Sequence, residues 1–267
     1  MESAEIVSTV NGLRAWLRQW RREGLRIGLV PTMGALHAGH LSLVEAIRKR
    51  ADKVVVSIFV NPAQFAPHED FDRYPRTLDA DVEKLGDDAD LVFAPSVREM
   101  YPDGFATRIE VGGPSAELET DFRPHFFAGV ATVVAKLLIT VMPDVAVFGE
   151  KDYQQLLVIR RLVADLALPI EIVGAPTLRE ADGLAMSSRN AYLKPRERET
   201  AGKLNHILKT ATSEAEATQA LLAAGFDSVD YVAIRDAATL GPPGDGPKRI
   251  LAAVRIGGTR LIDNMEK

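Results

Sequence analysis

His37 and His40 stand three residues apart, at the head of a segment whose apolar residues Leu41, Leu43, Val44 and Ile47 recur at helical spacing. Before them runs Pro31-Thr32-Met33-Gly34-Ala35-Leu36, directly after the strand-like stretch Leu25–Val30. Side chains at i and i+3 share a face on a first helical turn, so the two imidazoles belong to one site. The unpaired N–H groups and the dipole of a helix start favour an anion. Gly34 and Gly39 let the backbone approach it closely. Two imidazoles added there can donate hydrogen bonds to charge developing on a phosphoryl group in transfer. Two other readings stay open for this segment alone. One is a metal pair, although HExxH is missing and the chain has no cysteine. The other is a pair of ordinary surface histidines. That two of the five histidines fall in one glycine-containing turn favours chemistry.

A second polar segment lies far downstream. Arg179-Glu180-Ala181-Asp182-Gly183 leads into Met186-Ser187-Ser188-Arg189-Asn190. Two hydroxyls beside a guanidinium can hold phosphate oxygens. A polar turn with a helix N-cap is the alternative. The segment sits where the sequence pattern changes, which suits a mobile lid over a nucleotide.

The elements that must position these groups follow from periodicity. Leu25–Val30, ended by Pro31, Val54–Val60, Ala89–Phe93, Val145–Phe148 and Ile170–Val173 read as strands, with Thr107–Val111 as an extra one. Leu41–Arg50, Leu78–Leu85, Val130–Val141 and Tyr153–Leu166 read as helices between them. This alternation predicts βαβ units on a parallel sheet, with ligands at the carboxyl ends of its strands. Beyond Pro176 the chain becomes polar and helical over 195–224, then strand-like at Val229–Ile234, Arg249–Ile256 and Arg260–Asp263. The predicted fold is α/β: a Rossmann-like parallel-sheet domain over 1–177, followed by a smaller α+β lid domain over 178–267. The glycine-rich stretch 241–248 lacks the Gly-Lys-Ser/Thr ending of a P-loop and reads as a turn.

Composition narrows the function classes. The 267 residues carry 32 Lys+Arg against 37 Asp+Glu, a net charge of −5, so a general nucleic-acid binder is not expected. Without cysteine there is no disulfide framework, zinc–thiolate site or thiol nucleophile. No apolar run reaches membrane-spanning length, and the first residues do not read as a signal peptide. The expectation is a soluble cytoplasmic protein with no membrane partner.

The pair His37-x-Gly39-His40 and Ser187-Ser188-Arg189 resembles the HIGH/KMSKS nucleotidyltransferase superfamily. The blocks PTMGALHAGH (31–40), SIFVNPAQF (57–65), YPRTLDAD (74–81), FGEKDYQQL (148–156) and READGLAMSSRNAYL (179–193) narrow the resemblance to the pantoate–β-alanine ligase family. That resemblance implies an ATP-dependent reaction in two halves. Pantoate attacks the α-phosphate of ATP, giving pantoyl adenylate and pyrophosphate. β-Alanine then attacks the activated carbonyl, giving pantothenate and AMP. Mg²⁺ would accompany the triphosphate. A homodimer is also implied.

Carried over by position, His37 and His40 contact the phosphates, and Met33 lies over the reacting centre. Pro31, Thr32, Gly34, Gly149, Leu178 and Met186 complete the expected ATP contacts. Lys151 reaches the phosphates and Asp152 the ribose hydroxyls. Ser187, Ser188 and Arg189 grip the phosphates from the second domain. Asn61, Gln64 and Gln155 join Met33 around pantoate, where amides offer both donors and acceptors. Asp81 matches an acidic position associated with the metal. One departure is visible. Where the family has Arg-Pro-Gly-His-Phe, this chain has Arg123-Pro124-His125-Phe126-Phe127, so Phe126 replaces the histidine and His125 falls one place early. Two alternatives to the ligase are an adenylyltransferase that keeps AMP on its product and a nucleotide-binding regulator without catalysis. An aminoacyl-tRNA synthetase is disfavoured because no tRNA-binding region is evident.

Overall fold

The computed structural model describes residues 4–66 and 69–267. The apolar runs of the first 175 residues pair into one parallel sheet. Its strands are β1 (Glu5–Val7), β2 (Ile27–Thr32), β3 (Lys53–Ile58), β4 (Leu91–Phe93), β5 (Val145–Gly149) and β6 (Glu171–Ala175), in the spatial order β1-β4-β3-β2-β5-β6. The connecting helices are α1 (Val10–Arg22), α2 (Ala38–Arg48), α3 (Leu78–Leu85), α4 (Val97–Met100), α5 (Glu119–Phe122), α6 (Phe126–Val141) and α7 (Tyr153–Asp165). Period-two alternation sends Leu29, Val55, Phe93 and Ala146 to one face, under α1, α6 and α7. Val30, Val56, Val92 and Val147 go to the other, under α2 and α3. Burial on both faces explains why these strands are apolar throughout.

The order of the strands fixes where a ligand can sit. From β2 the chain builds outward through β3 and β4, then crosses back to place β5 on the other side of β2. The connections after β2 and β5 therefore leave in opposite directions and open a crevice between them. Beyond the sheet come α8 (Pro195–Ala201), α9 (Lys203–Thr210) and α10 (Glu214–Ala224). They pack against an antiparallel sheet of β7 (Ser228–Asp236), β8 (Lys248–Ile256) and β9 (Thr259–Glu266). Leu204, Leu208, Leu221, Ile250 and Val254 form this smaller core. The α/β class and both sheets are as the sequence predicts.

Three local expectations are corrected. Pro31 does not end its strand. Pairing of β2 with β5 stops at Leu29, while pairing with β3 runs to Thr32, so the missing N–H of Pro31 breaks no ladder bond. The segment Thr107–Val111 is not a strand; the Ile109 N–H donates to the Thr132 hydroxyl instead of to a sheet neighbour. Helix α6 begins at Phe126, four residues before its expected start, because Phe126 and Phe127 are also buried.

Candidate active site

The crevice continues into a cleft of about 570 Å³, a size suited to a nucleotide and a small acid. Pro31, Thr32, Met33, His37 and His40 line it from the end of β2, and Asn61 and Gln64 from the end of β3. Gly149, Lys151, Asp152 and Gln155 line it from the end of β5. Leu178, Met186, Ser187, Ser188 and Arg189 close it from the other side. Of the expected site residues, Gly34 and Asp81 alone do not line it.

The histidine pair is built by the helix start. His37 is the N-cap of α2, and its Nδ1 accepts the Gly39 N–H at 3.1 Å. The His37 N–H donates to Nδ1 of His40 at 3.3 Å. The rings pack against each other with centroids 4.1 Å apart and planes tilted by 40°. Since each Nδ1 accepts, each neutral ring carries its proton on Nε2. Burial, aided by the charges of Lys151 and Lys84, lowers His37 to about 4. Burial, the neighbouring His37 and the same lysines lower His40 to about 3. At neutral pH the pair is therefore two uncharged N–H donors, not two cations. A side chain at Gly39 would put Cβ 2.8 Å from the His37 ring, so glycine makes room for the ring in this position.

Asp81 shapes the same turn from beneath. Its side chain is fully buried and accepts from the N–H groups of Ala35 and Leu36 at 2.8 and 2.7 Å and from the Thr77 hydroxyl at 3.1 Å. Ala35 has φ 50°, a left-handed conformation that these bonds help to hold. Gly34 has φ 81° and lies against Ile58 and Asp81 rather than in the cleft. Asp81 thus lies outside the cleft lining, with its oxygens bonded to the turn carrying His37.

Around Met33 the amides form a chain. Gln64 donates from Nε2 to the Met33 sulfur at 3.0 Å and accepts from Nδ2 of Asn61, also at 3.0 Å. Asn61 is 1% exposed, and also bonds the Gly129 carbonyl, the Ala63 N–H and the Tyr101 hydroxyl. Its amide is occupied, so Asn61 orients Gln64. Gln155 lines the cleft, as does its buried neighbour Gln154, whose amide ties down the carbonyls of Pro114, Ala116 and Glu117.

Lys151 lies 3.7 Å from Asp152 in the turn after β5. Asn264 of β9 donates to the carbonyls of Glu150 and Lys151 at 2.9 and 2.8 Å, binding that turn to the smaller sheet. At the altered motif, Arg123 takes Glu69 through two bonds of 2.7 and 2.8 Å and lies 3.8 Å above the Phe126 ring. Phe126 lines the cleft; His125 does not, and its Nε2 is buried without a partner among the described residues.

Sequence reasoning gave no role to Asp70 and Tyr74. Both line the cleft and hold Arg189 and Ser188. Their partners lie more than a hundred residues away along the chain, and no periodicity reports such a pairing.

The family model described as pantoate-beta-alanine ligase matches residues 5–266. The chain is 57% identical to a pantothenate synthetase of Mesorhizobium japonicum, covering all of this chain and 99% of that protein. It resembles the crystal structure of pantothenate synthetase from Thermus thermophilus with a TM-score of 0.90 at 50% identity, over 98% of this chain and 99% of that one. It also resembles pantoate-beta-alanine ligase from Francisella tularensis, complexed with beta-gamma ATP and beta-alanine. There the TM-score is 0.89 at 36% identity, over 99% and 98% of the two chains.

Proposed function

The chain belongs to the pantoate–β-alanine ligase family and is a C–N bond-forming ligase, and from that premise we propose that it condenses pantoate with β-alanine through a pantoyl adenylate. The observation that carries this reading is the neutral His37–His40 pair, at a helix start in the crevice between β2 and β5. A transferring α-phosphate gains charge on its non-bridging oxygens. Two preorganised Nε2–H donors and the α2 N-terminus suit that charge, and Lys151 adds a positive one.

In the first half-reaction a pantoate carboxylate oxygen attacks the α-phosphorus. The bond from that phosphorus to the bridging oxygen breaks, and pyrophosphate leaves with the electron pair. Gln64 and Gln155 hold pantoate by its hydroxyl and carboxylate, with Met33 against the carbon chain. Asp152 accepts from the ribose, Leu178 and Met186 cover the nucleoside, and Ser187, Ser188 and Arg189 hold the departing phosphates. In the second half-reaction the β-alanine amine attacks the acyl carbon and AMP leaves. The histidines are too weakly basic to deprotonate the incoming ammonium, which supports an electrostatic role for them.

Mg²⁺ is the expected partner of the triphosphate. Among the described residues no cluster of three or more histidines or carboxylates forms a cage for it, and Asp81 is committed elsewhere. An Mg²⁺ ion would therefore be held chiefly by the phosphates of ATP and by water, neutralising the charge of the departing pyrophosphate. A homodimer belongs to the same reading; the largely exposed segment 105–112, which pairs with no strand among the described residues and has Phe105 at 37% exposure, offers a face for it.

The test is pyrophosphate release from ATP, Mg²⁺ and pantoate alone, followed by pantothenate and AMP on adding β-alanine. His40→Ala should lower the first rate by about a hundred-fold or more while ATP affinity changes little. Equal losses in rate and affinity would overturn the assigned role.

A further inference from the structure

The Ser-Ser-Arg loop is held from outside by the short segment 70–74. Asp70 takes Arg189 through two parallel bonds, Nε–H to Oδ2 at 3.0 Å and Nη2–H to Oδ1 at 2.9 Å. Tyr74 and Ser188 share a hydroxyl bond of 3.1 Å. Tyr192 donates to the Arg73 carbonyl at 3.4 Å, and the Arg73 guanidinium lies 5.5 Å from the Tyr192 ring centre. The holder is itself anchored. Tyr74 is 5% exposed and packs edge-on against Phe65, which packs edge-on against Phe71. Arg76 caps the carbonyls of Phe71 and Tyr74, and Glu69 is locked to Arg123. Asp70 therefore projects from a fixed platform on the large-sheet side toward a loop on the other.

We propose that Asp70 and Tyr74 are positioning residues of the ATP site, acting through Arg189 and Ser188. A free arginine samples many rotamers and loses them when it grips a ligand; a two-point carboxylate removes that freedom beforehand. Asp70 occupies the Nε edge of the guanidinium and leaves Nη1, which has no partner among the described residues, for a phosphate oxygen. Tyr74 likewise fixes the direction of the Ser188 hydroxyl. The inference rests on the reading that Ser188 and Arg189 hold the phosphates of ATP. The opposite device, a carboxylate standing in the place of a phosphate, would make Asp70 a competitor of ATP and reverse the sign of every effect below.

The experiment is steady-state kinetics on the full chain with Mg-ATP varied, for Arg189→Ala, Asp70→Asn, their double variant, Asp70→Glu and Tyr74→Phe, each checked by thermal melting. Asp70→Asn should raise the KM for ATP by about ten-fold and leave that for pantoate within about two-fold. In the Arg189→Ala background it should add nothing, and Asp70→Glu should recover most of the loss. Tyr74→Phe, which keeps the packed ring, should raise the ATP KM by about three-fold with an unchanged melting temperature. An unchanged or lower ATP KM for Asp70→Asn, or effects that multiply in the double variant, would overturn the proposal. If Arg189→Ala alone leaves ATP use intact, the phosphate-holding reading itself falls and this inference falls with it.

Discussion

His37 and His40 act as hydrogen-bond donors only while uncharged, and their environment keeps them so. An unfolded chain takes up protons on these imidazoles near pH 6.5, whereas the folded chain resists until about pH 4 and about pH 3. The unfolded state binds more protons across that window, so stability rises with pH there, is complete above about 6.5 and falls as the medium is acidified toward 4. Imidazole NMR signals of the two residues should stay constant from pH 8 to about 5.5; a midpoint near 6.5 for either would contradict the buried, neutral pair. Asp81 gives a second prediction. Asp81→Asn should destabilise the fold by about 3 kcal/mol, because a buried charged acceptor of two N–H groups is lost. Activity should fall with it and should not recover with added Mg²⁺; recovery by Mg²⁺ at an unchanged melting temperature would instead give Asp81 a metal role. The histidines were legible in sequence because their spacing is local. The work of Asp81 was not, since its backbone partners lie 45 and 46 residues away.

Among the elements, α6 carries the most consequence. It is apolar around its circumference and runs through the interior beside the loop that bears Gln64. Gly129 sits at that contact, where an added Cβ would collide with the Ala63 carbonyl oxygen and lie 2.8 Å from the Gln64 nitrogen. Gly129→Ala should cost about 1–3 kcal/mol and raise the KM for pantoate more than that for ATP; equal effects on both would argue against a local displacement. Strands β2 to β6 and the helices α2, α3, α6 and α7 were readable because buried runs and helical stripes are local signals; the four-residue helices α4 and α5 are too short to show a stripe. Helix α1 was not read, although Leu13, Leu17 and Trp20 form its buried stripe, because arginines and Gly12 crowd the same thirteen residues. The segment Thr107–Val111 misled in the other direction: β-branched residues favour extended backbone, but only a neighbour's free edge makes a strand.

At the scale of the molecule, the smaller sheet packs Ala233 and Leu251 into the core of the larger one, and long-range bonds to β9 set the catalytic turn and the strap that follows β6. Asn264 holds the carbonyls of Glu150 and Lys151, and Arg179 pairs with the buried Asp263 through two bonds of 2.8 and 2.9 Å. Asn264→Ala leaves two carbonyls without their partner, which should cost about 1–3 kcal/mol and lower kcat by loosening Lys151. A variant with full kcat would show that the turn is held from its own side alone. The bipartite layout could be read from the change of pattern near Pro176, whereas the contacts that join its halves could not, because each pairs residues distant in sequence.

The central claim is that pantoate is activated by attack of its carboxylate on the α-phosphate. The most direct test labels that carboxylate with oxygen-18 and follows the label through one turnover. The adenylate route predicts one labelled oxygen in the phosphate of AMP, with pyrophosphate unlabelled. Pantothenate formed with unlabelled AMP, or label found in orthophosphate alongside ADP, would contradict it.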